Sequence, residues 1–304
     1  MKFKAICLLM LMFLLSLSAV SPALAQLRVV TTTTDLASLV EFIGGEKVEV
    51  TSITRPLQDA HYLDATPGMV VRVGRADMFV ENGMELEAGW VPEVMRQTRN
   101  RTVRPGGNGY VDASKGITPI QVPERIHRDM GDVHPSGNPH YTLEPVTSIA
   151  AAGNIADGLI RIDSENTDYY LDNLARYEEK SRGLIEEWKE KFAPHEGAGV
   201  IVYHKHFDYM LEALGLEVVD AIEPLPGLAP TARHVAGLLS DYSSDVVKVV
   251  IMEPWHDDRL PERVAEGIGV ELVKPAPAVG AYDDTADIFS LFESNARMIL
   301  EAIE

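Results

Sequence analysis

The sequence predicts an α/β protein of two lobes, each with a mainly parallel sheet flanked by helices, joined by one long backbone helix. Three observations support this prediction. Apolar, β-branched runs that are typical of buried strands alternate with segments of helical periodicity in both halves of the chain. The second half repeats the strand–helix–strand order with which the first begins. Between them, residues 167–192 carry a single apolar stripe at helical spacing.

Residues 1–25 are typical of a secretory signal peptide. Lys2 and Lys4 form a basic start, an apolar run follows, and Ala23 and Ala25 supply the small residues of a cleavage site after Ala25. The apolar run is too short to span a bilayer comfortably. We therefore expect an exported protein from which this segment has been removed.

The composition of the chain argues against some binding partners and limits the ligands that a metal site could use. The chain has 46 acidic and 27 basic side chains and a net charge of −19, so its surface would repel nucleic acid and anionic lipid. Its one cysteine, Cys7, falls within the signal peptide. The mature chain therefore forms no disulfide, and a bound metal would be held by nitrogen and oxygen ligands alone.

The first lobe is expected over residues 26–147. Two strands are predicted at 27–33 and 48–54, and the helix between them is capped by Thr34 or Asp35. Strand, helix, strand without a tight hairpin is typical of a parallel sheet. Four further elements are expected: a helix opened by Thr66-Pro67, a strand at 77–83, a helix at 85–97, and an edge strand within 100–132.

Residues 148–192 are expected to connect the lobes. A short helix is predicted at 148–160, and a long one follows at 167–192. The long helix would extend roughly 40 Å at about 1.5 Å per residue, which is enough to run the height of a lobe as a rigid strut. The alternative is an ordinary long surface helix within one domain.

The second lobe is expected over residues 193–304. A buried strand at 199–203 ends at His204, and a helix and a strand follow it. Ligands of open α/β sheets bind beyond the carboxyl ends of strands, and His61 stands in the equivalent place in the first lobe. The two histidines are therefore expected on facing rims. Helices at 231–242, 259–268 and 285–303 and strands at 246–252 and 270–274 complete the lobe.

A third histidine lies on a loop, residues 131–145, that contains two histidines and three prolines. Pro139 forces Asn138 into an extended conformation, so His140 should be presented from a stiff backbone, as a metal ligand requires. A single loop histidine more often has no such role. Here His61 and His204 supply the partners that a metal site needs.

Five motifs carry a resemblance to a known family. They are Gln58-Asp-Ala-His61, Ala76-Asp-Met-Phe-Val-Glu-Asn-Gly83, Gly137-Asn-Pro-His140-Tyr-Thr-Leu-Glu-Pro145, Tyr203-His204-Lys-His-Phe207-Asp-Tyr209 followed by Leu214-Gly215, and Phe289-Ser-Leu-Phe-Glu-Ser-Asn295. In order and spacing the chain resembles the zinc-type solute-binding proteins of bacterial ABC importers, the cluster A-I or TroA-like family. The resemblance covers essentially the whole mature chain. It departs from the family at Ala60, where the family has proline.

The resemblance implies two α/β lobes joined by one long helix, with a divalent metal bound in the cleft between them. It also implies a monomer in the periplasm that delivers its metal to a membrane permease. Residue by residue, His61, His140 and His204 match the family's histidine ligands. No catalytic activity is implied, so an enzyme is not expected.

The fourth ligand is less directly indicated. The family usually has an aspartate nine residues before the asparagine that matches Asn295, and here that position is Ala286. Asp287 is one place away and is favoured slightly. Asp284 is the alternative fourth ligand, at the start of the last helix, and Asp283 is a more remote third.

Ligand chemistry favours zinc. Three imidazoles and a carboxylate suit Zn²⁺ in a tetrahedral site. Manganese prefers oxygen ligands, and the manganese-type relatives usually have a carboxylate where this chain has His204. Manganese or another divalent metal remains the alternative cargo.

The remaining histidines are interpreted as structural. His206, His234 and His256 are expected to be surface or helix residues rather than ligands. His127 and His134 precede His140 and resemble a shortened form of the histidine-rich loop of zinc-type relatives. That loop could collect metal weakly, and a loop without a function is the equal alternative.

Two other classes of function compete with metal delivery. A secreted zinc hydrolase would also use three histidines, with Glu81, Glu85 or Glu144 as a base, but neither a His-Glu-x-x-His helix nor a serine nucleophile elbow is present. A fourth protein ligand would also fill the position that a catalytic water needs. The third class is an exported binder of an organic solute, which would retain its affinity after complete chelation.

Overall fold

The computed structural model describes residues 26–125 and 134–304. It shows two four-stranded sheets, each entirely parallel and flanked by helices, with one long helix between them. The predicted fold class is thereby confirmed. The signal peptide expected at 1–25 and His127 lie outside the described residues.

The first sheet contains β1 (Leu27–Thr31), β2 (Val48–Ser52), β3 (Met78–Glu81) and β4 (Tyr110–Asp112), in the order β2-β1-β3-β4. Its helices are α1 (Thr34–Gly44), α2 (Pro67–Gly74) and α3 (Val91–Gln97). The N-cap of α1 is Thr33, whose hydroxyl accepts a 3.4 Å hydrogen bond from the backbone N–H of Leu36. Thr33 lies one residue before the cap expected from the sequence.

Helix α3 is shorter than the sequence predicts, beginning at Val91 rather than near residue 85. Met84 and Glu85 have positive φ angles of 49° and 61°, which a right-handed helix does not allow. The carboxylate of Glu87 accepts the backbone N–H groups of Asn82 and Gly83 at 2.7 and 3.2 Å. This buried side chain therefore organises a turn where helical periodicity alone predicted a helix.

The second sheet contains β5 (Gly199–Val202), β6 (Glu217–Ala221), β7 (Val247–Ile251) and β8 (Glu271–Val273), in the order β6-β5-β7-β8. This order repeats that of the first sheet. The flanking helices are α6 (Asp208–Ala213), α7 (Ala232–Asp241), α8 (Arg259–Ile268) and α9 (Ile288–Ile303), numbered after the two connecting helices described next.

The connection consists of α4 (Thr147–Ile162) and α5 (Thr167–Phe192), joined by a short 3₁₀ turn at Ser164–Asn166. Helix α5 is 26 residues long, as predicted, and it packs against α1, α4 and α6. Its buried face is one stripe formed by Tyr170, Tyr177, Leu184, Trp188 and Phe192. No helix within the described ranges has the length and apolar character needed to cross a bilayer.

One hydrophobic core runs through both lobes, and each lobe has a smaller core on its outer face. An aromatic cluster joins the lobes within the shared core: the ring centroids of Phe42 on α1, Tyr177 on α5 and Phe289 on α9 lie 5.1–5.5 Å apart. Both sheets therefore rest on the same helical layer. The carboxyl ends of their strands carry the loops in which the predicted metal ligands lie.

Candidate metal centre

The structure brings together the three histidines that the sequence singled out. His61 follows β2, His140 follows Pro139, and His204 follows β5. One nitrogen from each ring lies within 4.8 Å of the other two, and among residues 26–125 and 134–304 this is the one such histidine or acidic group. Nitrogens on one tetrahedral zinc lie roughly 3.3 Å apart at bonds of about 2.05 Å. The three rings need only a small contraction to reach that spacing.

Two carboxylates orient the rings of this group. Nδ1 of His61 lies 2.6 Å from Oδ1 of Asp59, and Nδ1 of His204 lies 2.9 Å from Oε2 of Glu223. A carboxylate at Nδ1 holds the proton on that nitrogen and leaves the Nε2 lone pair for a metal. The sequence analysis missed both carboxylates. Asp59 lies two residues before its histidine, and Glu223 follows the strand next to β5, so strand order could have indicated both.

The charges of these partners agree with their roles. Burial alone would raise the pKa of Asp59, but the hydrogen bonds and charge of His61 outweigh it and lower that pKa to about 2. Burial would lower the pKa of His204, and the hydrogen bond and charge of Glu223 raise it overall. The two carboxylates therefore place negative charge beside the position that a cation would take.

His140 is the most buried of the three histidines, with 5 % of its surface exposed. Its backbone N–H donates to Oδ1 of Asn138 at 2.9 Å, which fixes the turn after Pro139. Its Nε2 is buried and has no hydrogen-bond partner among the described residues. Burial lowers the pKa of this ring well below its usual value, so the ring is neutral. A neutral imidazole with a free nitrogen is the state that binds a metal.

His206 does not lie on the surface, so that part of the sequence interpretation is wrong. It is 8 % exposed, and its ring centroid lies 4.2 Å from that of His140. Its Nε2 donates to the backbone carbonyl of Pro277 at 3.1 Å, and burial lowers its pKa. His206 therefore forms a wall of the site. The spacing of His204 and His206 could have indicated this, because alternate residues of an extended segment point to the same side.

The other two histidines of that group differ from each other. His234 lies on α7 as expected, with its Nε2 2.8 Å from the carbonyl oxygen of Ala221. His256 stacks on Tyr203 with a centroid distance of 4.2 Å and faces Glu253. His256 therefore lies beside the histidine cluster without belonging to it.

The structure does not bring the proposed aspartates into the histidine group. Asp287 is the N-cap of α9: one carboxylate oxygen accepts the backbone N–H groups of Phe289 and Ser290, each at 2.9 Å. Asp284 accepts a 2.7 Å hydrogen bond from Ser294 and pairs with Arg297 at 2.7 Å. Both carboxylates, like that of Asp283, are exposed. The contacts of Asp287 and Asp284 are therefore with α9 rather than with the histidines.

His134 lies near the cluster on the segment that the sequence compared to a histidine-rich loop. Its Nε2 is 3.1 Å from Nε2 of His61. This segment is tied to both lobes, because Ser136 donates to Glu85 at 2.8 Å and the side chain of Asn138 donates to the carbonyl oxygen of Lys205 at 2.7 Å. A cavity of about 170 Å³ lined by His134, His140 and His204 opens beside it.

The glutamates considered as bases of a hydrolase have other contacts. Glu81 accepts from the hydroxyl of Tyr110, and Glu85 accepts from Ser136. Glu144 accepts the backbone N–H groups at the start of α4, including that of Val146 at 2.8 Å. Each therefore has a structural role in fixing a loop or a helix end.

Comparisons with known proteins show what this chain is similar to. The family model described as the periplasmic component A of the zinc-uptake complex, ZnuA, matches residues 29–302. A manganese ABC transporter substrate-binding lipoprotein of Streptococcus pneumoniae is 28 % identical over 252 residues, covering 81 % of this chain and 78 % of the relative. The high-affinity zinc uptake system protein ZnuA of Bacillus subtilis is 27 % identical over 250 residues, covering 81 % and 76 %.

Solved structures share the fold. A crystal structure of ZnuA superposes with a TM-score of 0.78 at 23 % identity, covering 92 % of this chain and all of that one. A manganese-bound periplasmic metal-binding protein of Candidatus Liberibacter asiaticus gives a TM-score of 0.74 at 19 % identity, with 92 % of this chain and 100 % of the other covered. At these identities the likeness establishes the fold alone.

Proposed function

This chain belongs to the ZnuA family of metal-binding, substrate-binding components of ABC importers, and we propose that it carries Zn²⁺ to a membrane permease. The family consists of transport proteins rather than enzymes. The observation that supports the proposed cargo most strongly is the histidine group, in which His140 has a buried free nitrogen and carboxylates orient His61 and His204. These three residues are the proposed metal ligands.

Nitrogen chemistry supports zinc over manganese. The three nearest ligand groups are imidazoles, which suit Zn²⁺, whereas Mn²⁺ prefers carboxylate, carbonyl and water oxygens. Relatives named for manganese and for zinc are similar to this chain to almost the same degree. The donor set of the chain itself is therefore the better guide to its metal.

We further propose how the mature protein is organised. Cleavage after Ala25 would release a periplasmic chain that works as a monomer. Its lobes would be residues 26–147 and 193–304, with 148–192 as the connecting segment. The signal-like start of the sequence and the position of α5 between the two sheets support this arrangement.

The test is calorimetric titration of the chelator-stripped mature protein with Zn²⁺ and with Mn²⁺. We expect one tight zinc site, weaker manganese binding, and loss of the tight site in His140→Ala. His234→Ala is the matched control, because this histidine lies on α7, outside the cluster, and its ring bonds to the carbonyl of Ala221. Tight zinc binding that survives His140→Ala, or tighter binding of manganese than of zinc, would contradict the proposal.

A further inference from the structure

The ring of His140 lacks the kind of partner that orients the other two proposed ligands. Asp59 pairs with Nδ1 of His61, and Glu223 pairs with Nδ1 of His204. In the part of the chain that the structure describes, no carboxylate pairs with the ring of His140, and its Nε2 has no hydrogen-bond partner. The hydrogen bond that this residue donates comes from its backbone. A contact of another kind must therefore hold this ring at the angle that a metal requires.

Among the described rings, that of His206 lies nearest to the ring of His140. Their centroids are 4.2 Å apart, and their planes are inclined at 46°. The rings of His61 and His204 lie farther from His140, at 5.2 and 5.6 Å, and as proposed ligands they would face the metal themselves. The buried ring of His206 is therefore the one that packs against His140 without being a proposed ligand.

The ring of His206 is itself held in place. Its Nε2 donates to the carbonyl oxygen of Pro277 at 3.1 Å. The rings of Phe207 and Trp255 pack edge-on against it, at centroid distances of 5.0 and 5.6 Å. A buried ring with one hydrogen bond and two edge-to-face contacts has little freedom to rotate. It therefore offers His140 a fixed surface.

The carbonyl group that anchors His206 lies on a rigid segment of the second lobe. The buried side chain of Asn295 on α9 accepts the backbone N–H of Ala276 at 2.7 Å and donates to the carbonyl oxygen of the same residue at 2.8 Å. Two residues after Pro277, the N–H of Val279 donates to a buried carboxylate of α1 at 2.8 Å. Side chains thus fix the backbone on both sides of Pro277.

We propose that His206 is a positioning residue, whose ring packs against the imidazole of His140 and keeps its free Nε2 directed toward the metal. The inference rests on the proposed function, since it requires His140 to be a ligand. This packing does for His140 what the carboxylates of Asp59 and Glu223 do for their histidines. Because His140 belongs to the first lobe and His206 to the second, the position of this ligand depends on both lobes.

The test replaces His206 in three ways and measures zinc affinity by competition with a chelator. His206→Phe keeps a flat ring but loses the bond to Pro277, whereas His206→Gln keeps a donor for that carbonyl but loses the ring. His206→Ala loses both. If the ring positions His140, His206→Phe should retain most of the affinity. The other two should lose roughly 10-fold, the lower end of the loss that follows removal of an outer partner of a metal ligand.

A double-mutant cycle shows whether His206 acts through His140. In the background of His140→Ala, which binds zinc more weakly, His206→Gln should cause no further loss, because the ring that it positions is gone. An equal loss in both backgrounds would mean that His206 supports the site as a whole, and it would overturn the proposal. Full affinity in His206→Gln, or a loss in His206→Phe as large as that in His206→Gln, would overturn it as well.

His256→Ala is the matched control for a change in ring packing. His256 stacks on Tyr203 at the same centroid distance of 4.2 Å, but neither residue is a proposed ligand. This variant should therefore bind zinc as the wild type does. A loss in His256→Ala equal to that in His206→Gln would make the effect a general one of ring packing near the cluster and would count against a specific role of His206.

These failures differ from failure of the proposed function. If the wild type binds zinc tightly and His140→Ala does not, but the His206 variants contradict the expected order, the metal site stands and the role of His206 is rejected. If the wild type binds no zinc tightly, or His140→Ala binds it normally, the proposed function fails first. His206→Gln keeps the test decisive if His206→Ala does not fold, because it preserves the bond to Pro277.

Discussion

Asp35 of the first lobe accepts a 2.8 Å hydrogen bond from the backbone N–H of Val279 in the second lobe. Its other oxygen accepts from the hydroxyl of Thr142 at 3.1 Å, two residues after His140. One turn further along α1, the hydroxyl of Ser38 accepts the backbone N–H of Ile288 at 2.9 Å. The start of α1 therefore joins the backbone that carries His140 to the second lobe.

We predict that Asp35→Ala weakens zinc binding as well as stability. The change leaves the N–H of Val279 and the hydroxyl of Thr142 without their acceptor, at a cost of about 1–3 kcal/mol for a buried group. It also releases the segment that positions His140, so the dissociation of zinc should become faster. Stopped-flow competition with a chromogenic chelator measures this rate.

Asp163→Ala is the control for Asp35→Ala. Asp163 accepts from Tyr170 and Asn166 at 2.6 and 2.7 Å, but it lies between α4 and α5 rather than between the lobes. We expect this variant to lose stability while keeping the wild-type dissociation rate. Equal rates in wild type and Asp35→Ala would show that the contact between lobes does not position the ligand.

Asp35 also predicts a pH dependence of stability. Burial raises its pKa to about 6, from 3.8, against the opposing hydrogen bonds of Val279 and Thr142. The folded state therefore retains a proton that the unfolded state has lost, and the stability gained in this way is complete below about pH 4 and lost as the pH rises through 6. Urea titrations of metal-free wild type and Asp35→Asn across pH 4–7 measure the difference.

The free energy of unfolding of Asp35→Asn, minus that of the wild type, should increase with pH over this range. A shift of this size corresponds to at most roughly 3 kcal/mol. Other buried carboxyl groups, such as Glu87 with its pKa raised to about 7 by burial, are present in both proteins and cancel in the difference. A constant or decreasing difference would contradict the role assigned to the Asp35 carboxyl group.

The sequence predicted the fold well where local periodicity and tertiary packing agree. Residues 167–192 carry one uninterrupted apolar stripe, and the structure forms a helix with those same bounds. Helix α3 failed the same reasoning, because the turn before Val91 depends on the carboxylate of Glu87 binding two backbone N–H groups. The spacing of apolar residues does not reveal a contact between a side chain and the backbone. The start of the helix was therefore predicted about six residues too early.

Contacts between residues that are distant in the sequence could not be predicted, and they decide which side chains of the site are buried. His206 was placed on the surface because its bond to the carbonyl of Pro277 joins positions 71 residues apart. Asp287 was favoured as a ligand although its position before α9 also makes it a helix cap, and the structure shows the capping contacts. His61, His140 and His204 come together as expected: His61 and His204 follow strands of the two parallel sheets, and the loop after Pro139 brings His140 to them.

The aromatic cluster shared by the lobes should make a large contribution to stability. Phe289 is 3 % exposed and contacts Phe42 and Tyr177, while the ammonium group of Lys180 lies 3.9 Å from its ring centroid. Phe289→Ala would leave a cavity in the common core and lower the free energy of unfolding by roughly 3–5 kcal/mol. Phe289→Leu, which fills much of that space, should lose less. Equal losses measured by urea titration would mean that the volume filled at this position does not set its contribution to stability.

The last prediction concerns the carboxylate that orients His204. Oε2 of Glu223 lies 2.9 Å from Nδ1 of His204, and Oε1 accepts the backbone N–H of Gly227 at 2.6 Å. Glu223→Ala removes the acceptor that holds the proton on Nδ1, so the metal must compete with the other tautomer and with a freely rotating ring. Losses of such partners cost roughly 10–100-fold in metal affinity. We expect a loss of that size in competition titrations with a zinc chelator.

Two further variants separate orientation from charge at this position. Glu223→Gln can still accept from Nδ1 through its amide oxygen, so it should retain more affinity than Glu223→Ala while losing the negative charge near the ion. Glu217→Gln, an exposed change on the same chain segment at β6, should bind zinc as the wild type does. If Glu223→Gln and Glu223→Ala lose affinity equally, the charge of Glu223, rather than its hydrogen bond, is what stabilises the bound metal. If neither variant loses affinity, His204 is not held by Glu223 in the metal-bound protein, and the role of His204 as a ligand is itself in question.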